Sequence, residues 1–120
     1  EICALASTEI VDIGAHSVTH PLLAALPAAL QRDEVTQSKT DLEEILGRPV
    51  SWFAYPFGSN GTYTEESVGL VRQAGFAAAC SGLPGLVELR TDRFQLPRVQ
   101  VCDWDGDEFA RRLSNLVPGL

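Results

Sequence analysis

The sequence predicts an α/β domain with an open, parallel sheet, and three observations carry that prediction. Short apolar runs alternate with helical patterns in the order β-α-β-α-β-loop-β-α, which requires crossover connections between parallel strands. The strand-like runs are nearly continuous in apolar residues, as strands covered on both faces are. At 120 residues, 45% of them hydrophobic, the chain fits one domain (1–120) able to bury a moderate core. About four strands are too few to close a barrel, so the sheet is open, or is completed by further sequence or another chain.

The elements follow in order. Ile2, Leu5 and Ala6 share a helical face, so residues 1–7 read as the last turns of a helix. Residues 10–13 read as a strand that ends at Gly14 and runs into a polar loop. Leu22, Leu23 and Leu26 precede Pro27, which suits a first helical position. A long helix is expected over 28–46, with Val35, Leu42, Ile45 and Leu46 as its apolar stripe. Arg32, Asp33, Glu34, Lys39 and Glu43 then face water, and Gly47 and Pro49 end the helix. Residues 50–54 read as a second strand. Thr64, followed by Glu65 and Glu66, starts a helix that buries Val68, Leu70, Val71 and Ala74 and closes at Gly75. Residues 76–80 form a third strand, 81–94 a loop containing Gly82, Pro84 and Gly85, and 96–101 a fourth strand. Asp103 or Asp105 can cap a last helix carrying Phe109, Leu113 and Leu116.

Charge narrows the partners. The net charge is −7, with Lys39 as the single lysine, so nucleic acid and anionic lipid are repelled. No apolar run is long enough for a membrane span, and no secretion signal is visible at a start that looks cut. Neutral ligands such as sugars remain. Cys3, Cys80 and Cys102 are odd in number and match no disulfide or zinc spacing, so each is expected to behave as a small buried apolar side chain.

Chemistry concentrates in one loop. His16 and His20, both histidines of the chain, stand four residues apart just after the first strand. Ligands of parallel α/β proteins gather at such carboxyl ends, and two imidazoles there can hold one metal ion. A zinc site needs three or four ligands, and the alternative for either ring is an ordinary hydrogen bond within the loop. The segment Tyr55-Pro56-Phe57-Gly58 reads as a tight aromatic turn whatever its chemistry.

Together these pieces resemble the polysaccharide deacetylases, the NodB-homology domain of carbohydrate esterase family four. Ile13-Gly14-Ala15-His16-Ser17-Val18-Thr19-His20-Pro21 resembles that family's second motif, and Phe53-Ala54-Tyr55-Pro56-Phe57-Gly58 its third. Ser38-Lys39, the run Leu42 to Val50, Ala74-Gly75-Phe76 and Leu96-Pro97-Arg98-Val99 resemble its intervening and later segments. The resemblance implies a partial or distorted (β/α) barrel that removes N- or O-acetyl groups from polysaccharide or peptidoglycan sugars. It implies a divalent metal, zinc foremost, held by His16 and His20. It also implies the backbone N–H of Phe57 as oxyanion donor, with Tyr55, Pro56 and Trp104 lining the substrate site.

The departures from the family pattern are specific. Its first motif, an Asp-Asp strand end supplying the base and a third ligand, is expected upstream of Glu1. Asp12 lies on the strand rather than at its end, where pleating turns it away from the histidines. Ala54 stands where the family has arginine and Phe57 where it has tyrosine, so Arg98 is the candidate to orient an acidic partner. Asp103-Trp104 resembles an acid–tryptophan pair of the acetyl pocket, with a helix cap and ordinary core packing as the plainer account. The late leucine–histidine motif is missing. The chain alone is therefore expected to have little activity. The alternative is a non-catalytic remnant serving as a carbohydrate-binding or oligomerisation module. A homodimer covering the open sheet edge is expected in either case.

Overall fold

The computed structural model describes residues 1–8 and 10–117. Its sheet is short in strands but orderly in topology. The strands β1 (Trp52–Ala54) and β2 (Ala78–Cys80) pair in parallel, with Phe53 opposite Ala79. Single parallel bridges extend the sheet on both sides, Ala15 to Phe53 and Cys80 to Leu96. Ala15 (just past the expected first strand), β1, β2 and Leu96 of the expected fourth strand thus lie side by side in chain order, as in an arc of a (β/α) barrel.

Two of the expected strands are reduced to those single bridges. Over 10–13 the ladder does not form: Ile10 is 92% exposed, and the Asp12 carboxylate turns back to accept the Ile13 N–H at 3.0 Å. Over 96–101 pairing stops after Leu96, because the Arg98 N–H, which would make the next rung on Ser81 O, goes to Leu83 O at 3.0 Å instead.

The helices match the sequence pattern more closely. They are α1 (Ile2–Ala6), α2 (Ala28–Leu46), α3 (Glu65–Gln73) and α4 (Gly106–Leu116). Pro27 is the residue before α2 rather than its first member, and Gly47 ends the helix in the left-handed conformation at φ 64°. Thr64 caps α3 through a reciprocal pair of hydrogen bonds with Ser67. Of the two acidic candidates for the last helix, Asp105 is the cap, accepting the Glu108 N–H at 2.8 Å.

The core gathers where α2 and α3 cover β1 and β2. Val35, Phe53, Tyr55, Val68, Val71, Phe76, Ala79 and Phe94 are buried there, and a side chain such as Phe53 contributes about 1.5–3 kcal/mol by leaving water. The buried stripe of α2 differs from the expected one. Gln31, Val35 and Ser38 are buried, whereas Ile45 is 53% exposed. Polar residues are tolerated because they are satisfied: Gln31 donates to Leu26 O at 2.9 Å and accepts from Ser67 Oγ at 2.6 Å, and Ser38 donates to Val35 O.

Lys39 and Glu43 do not simply face water. Glu43 accepts both the Lys39 ammonium and the Val50 N–H, and Lys39 also donates to Val50 O at 2.8 Å, tying α2 to the entry of β1. The cysteines depart from expectation as well: Cys3 and Cys102 are exposed and only Cys80 is partly covered. None of the residues of α4 is buried, so its apolar face of Phe109 and Leu113 stays about half open.

Candidate functional site

The histidine loop begins where the parallel ladder breaks. Ala15 N–H bonds Trp52 O and Ala54 N–H bonds Ala15 O, so the next rung of a parallel pair would be Ser17 N–H on Ala54 O. Ser17 instead takes the left-handed conformation, φ 62°, which removes its N–H from the ladder. The His16 ring takes that acceptor: Nδ1–H donates to Ala54 O at 2.8 Å. A carbonyl can only accept, so Nδ1 carries the proton and Nε2 is the nitrogen left to face a ligand. Metal-binding histidines are oriented in this way by a backbone carbonyl behind the ring.

His20 returns to the same place. Its backbone is also left-handed at φ 58°, its N–H donates to Ser17 Oγ at 3.0 Å, and its ring meets His16 edge-on with centroids 4.7 Å apart. On its other side His20 meets Phe57, again edge-on at 4.7 Å. The structure therefore brings His16, His20 and Phe57 together.

Phe57 sits at the centre of a tight turn. Its φ is 61°, and Gly58 N–H reaches back to Pro56 O at 2.7 Å, an i to i+2 bond with a left-handed central residue. No acceptor among the described residues takes the Phe57 N–H. The residue is 60% exposed beside a cavity of about 320 Å³, lined by Phe57, Gly82, Arg98, Val99 and Gln100. Three non-glycine residues with positive φ thus cluster in one place, where strain is expected at functional sites.

The remaining candidates fall elsewhere. Tyr55 is completely buried, stacks on Tyr63 with centroids 4.1 Å apart and donates its hydroxyl to Phe94 O at 2.9 Å. Burial pushes its hydroxyl pKa up, so it stays protonated. Pro56 is buried too. Neither residue offers a face to a sugar, so both support the turn from below. Arg98 has no acidic partner among the described residues; its Nε donates to Ser81 O at 2.6 Å. Trp104 is partly covered by the Arg112 guanidinium, 4.5 Å from the ring, and borders a separate cavity of about 460 Å³. Asp12 is turned toward Arg48 at 3.5 Å.

One participant escaped the sequence pattern. Glu34, expected on the wet face of α2, accepts the Val18 N–H at 2.8 Å, the Thr19 N–H at 2.9 Å and the Thr19 hydroxyl at 2.7 Å. Partial burial pushes its carboxyl up, but those three hydrogen bonds outweigh it and hold the group below the ordinary glutamate value. Helical periodicity carries no sign of such a contact, because the partner is a loop fifteen residues upstream rather than a helix neighbour.

As a metal site the donor set is partial. Two imidazoles meet edge-on at 4.7 Å with the Nδ1 of one committed to a carbonyl, a pair that could supply two of the four ligands of a zinc ion. Among the described residues, no group of three or more His, Cys, Asp or Glu side chains forms around them.

Comparison with known proteins fits this geometry. The family model described as polysaccharide deacetylase matches residues 1–79. Among solved structures, the chain is similar to a polysaccharide deacetylase from Bacillus cereus, with TM-score 0.80 and 24% identity over 92% of this chain and 34% of that one. It is also similar to the Streptococcus pyogenes deacetylase PplD in complex with acetate, with TM-score 0.76 and 21% identity over 88% of this chain and 44% of that one. IcaB from Ammonifex degensii aligns with TM-score 0.75 and 21% identity, over 94% of this chain and 50% of that one. The chain therefore spans between about a third and a half of each of these proteins. At such identities the likeness establishes the fold, a section of a NodB-type barrel. No curated protein matches the chain. With the family model running from residue 1 through the histidine loop and the turn at 55–58 to residue 79, this chain belongs to the polysaccharide deacetylase family.

Proposed function

We propose that this chain carries the histidine half of a metal-dependent deacetylase site acting on acetylated sugars of a polysaccharide. The observation that supports it most is the convergence of His16, His20 and the Phe57 turn, with His16 Nδ1–H committed to Ala54 O. His16 and His20 would hold the divalent ion, which when bound polarises the acetyl carbonyl and acidifies a water.

This chain's own residues then do three things. The Ala54 carbonyl keeps the His16 ring in one tautomer and one orientation. The Phe57 N–H, without an acceptor among the described residues, is available to the oxyanion that forms as the acetyl carbon becomes tetrahedral. The Phe57 ring and the cavity beside Gly82 and Arg98 offer a surface for the sugar. A carboxylate to take the proton from the attacking water, and to complete the ion's ligands, comes from outside the described residues.

A second reading is favoured by the absence of a third donor among the described residues: a non-catalytic module that retains the fold and binds carbohydrate. Zinc titration monitored on the imidazole resonances separates the two. The first reading requires both histidines to respond together and His16→Ala to abolish the response. Wild-type and His16→Ala proteins that behave alike remove the metal assignment. Homodimerisation over the open edge remains part of the proposal, resting on the exposure of Ile10 (92%) and Val11 (37%) there.

A further inference from the structure

We propose that Glu34 is the positioning residue of the histidine pair, holding the 17–19 segment in the shape that aims His16 and His20 at one point. The inference rests on the reading of those two residues as metal ligands, and it concerns a side chain outside either motif.

Three residues separate the histidines, and their polar groups are almost all accounted for. Val18 N–H and Thr19 N–H both donate to Glu34 Oε2, and the Thr19 hydroxyl donates to Oε1. Ser17 Oγ accepts the His20 N–H. One carboxylate therefore gathers three donors from two adjacent residues. Both of its oxygens are engaged by the loop, so Glu34 supports the site without acting as a ligand itself.

The loop needs such support. Ser17 and His20 both lie at positive φ without being glycine, a conformation that persists only where neighbours over-determine it. Glu34 comes from a well-anchored stretch of α2, one residue before fully buried Val35 and one turn after Gln31, which bonds both Leu26 O and Ser67. Its hydrogen bonds also hold the carboxyl ionised at neutral pH, the state in which it can accept all three donors. Without that anchor, Ser17 can return to the extended region, and its N–H then competes with the His16 ring for Ala54 O.

The test is zinc titration of nitrogen-15-labelled protein, with affinity read from imidazole and amide shifts, on wild type, Glu34→Ala, Glu34→Gln and His16→Ala. Glu43→Gln, on the same helix but bonded to Lys39 and Val50, is the stability control. Glu34→Ala is expected to weaken zinc about tenfold or more, the usual scale for losing a group that orients a ligand. Glu34→Gln, which keeps one acceptor in place, falls between it and wild type, and Glu43→Gln keeps wild-type affinity. In the zinc-free variants at position 34 the Val18 and Thr19 amides lose their downfield shifts.

Wild-type affinity in both Glu34 variants, with His16→Ala silent, overturns the positioning role alone. An equal loss in Glu43→Gln does the same, since the effect is then general destabilisation. His16→Ala behaving like wild type defeats the underlying metal reading instead. If Glu34→Ala is too unstable to titrate, the isosteric Glu34→Gln decides.

Discussion

Replacing Gly58 by alanine tests whether the turn that presents Phe57 depends on backbone-to-backbone contact. An alanine Cβ there would stand 2.3 Å from Gly82 N and 2.9 Å from Gly82 Cα, and the residue sits at φ 66°. Ordinary contact distances are about 3.5–4.0 Å, so one segment has to retreat by roughly 1 Å. Three costs combine. A side chain in the left-handed region costs about 1–2 kcal/mol. Overpacking adds about 1–3 kcal/mol. Weakening the Gly82 N–H to Gly58 O bond, 2.8 Å in the native chain, adds about 0.5–1.5 kcal/mol. Reduced freedom of the unfolded chain returns about 0.4–1 kcal/mol, which leaves a net loss of about 1.5–6 kcal/mol. For a domain of this size that lowers the melting temperature by roughly 5–24 °C. Gly47→Ala is the matched control, because Gly47 has nearly the same φ, 64°, but nothing among the described residues within 4 Å of the added carbon. Its loss should not exceed about 1.5 kcal/mol. Thermal unfolding of the two variants side by side gives the answer. A Gly58→Ala protein that melts with Gly47→Ala would show that the Gly58–Gly82 approach is not a structural requirement.

Two further outcomes follow from buried and ion-paired groups. Tyr55→Phe strands the Phe94 carbonyl in the core and should cost about 1–3 kcal/mol in urea unfolding, with an unchanged denaturant slope. For Glu43, the Lys39 hydrogen bond above all, with the Val50 N–H, holds the carboxyl below its ordinary range. A depressed folded-state pKa adds stability above the unfolded carboxylate value that disappears as pH falls through the folded value. The stability gap between wild type and Glu43→Gln should therefore be constant near neutrality and close in acid below the ordinary glutamate pKa. A gap that widens in acid would reverse the assignment.

What the sequence made legible, and what it did not, divides along a physical line. Local signals were reliable: Gly47 and Thr64 mark helix ends by chemistry that acts within one turn. The order of four adjacent parallel segments was also readable, since alternation of strand and helix leaves few topologies. Strand length was not, because it depends on ladder partners: apolar residues 10–13 look like a strand yet only Ala15 is bridged. The site followed the same rule. His16 and His20 stand out through their spacing and the motif around them, whereas the hydrogen bonds of Glu34 to their loop do not, being created by a fold that lays α2 against the loop. Tyr55 misled for the opposite reason. An aromatic in a functional motif suggests a contact surface, and here it is the buried post beneath one.

The two ends of the short sheet obey a common logic that links fold to chemistry. On one side the ladder runs Ala15 N–H to Trp52 O, then Ala54 N–H to Ala15 O, and the next acceptor, Ala54 O, is taken by the His16 ring. On the other it runs Leu96 N–H to Ala79 O, then Ser81 N–H to Leu96 O, and the next acceptor, Ser81 O, is taken by Arg98 Nε. In each case a side-chain nitrogen replaces the backbone N–H that would have continued the strand. The substitution ends the sheet without orphaning a carbonyl, and it fixes a polar side chain by a bond whose position is set by strand register. Pairing shifted by one residue would offer His16 a different carbonyl and turn its ring to the other face. The orientation of the imidazole is therefore a property of the sheet, and the brevity of the strands is what brings side-chain nitrogen to their carboxyl ends.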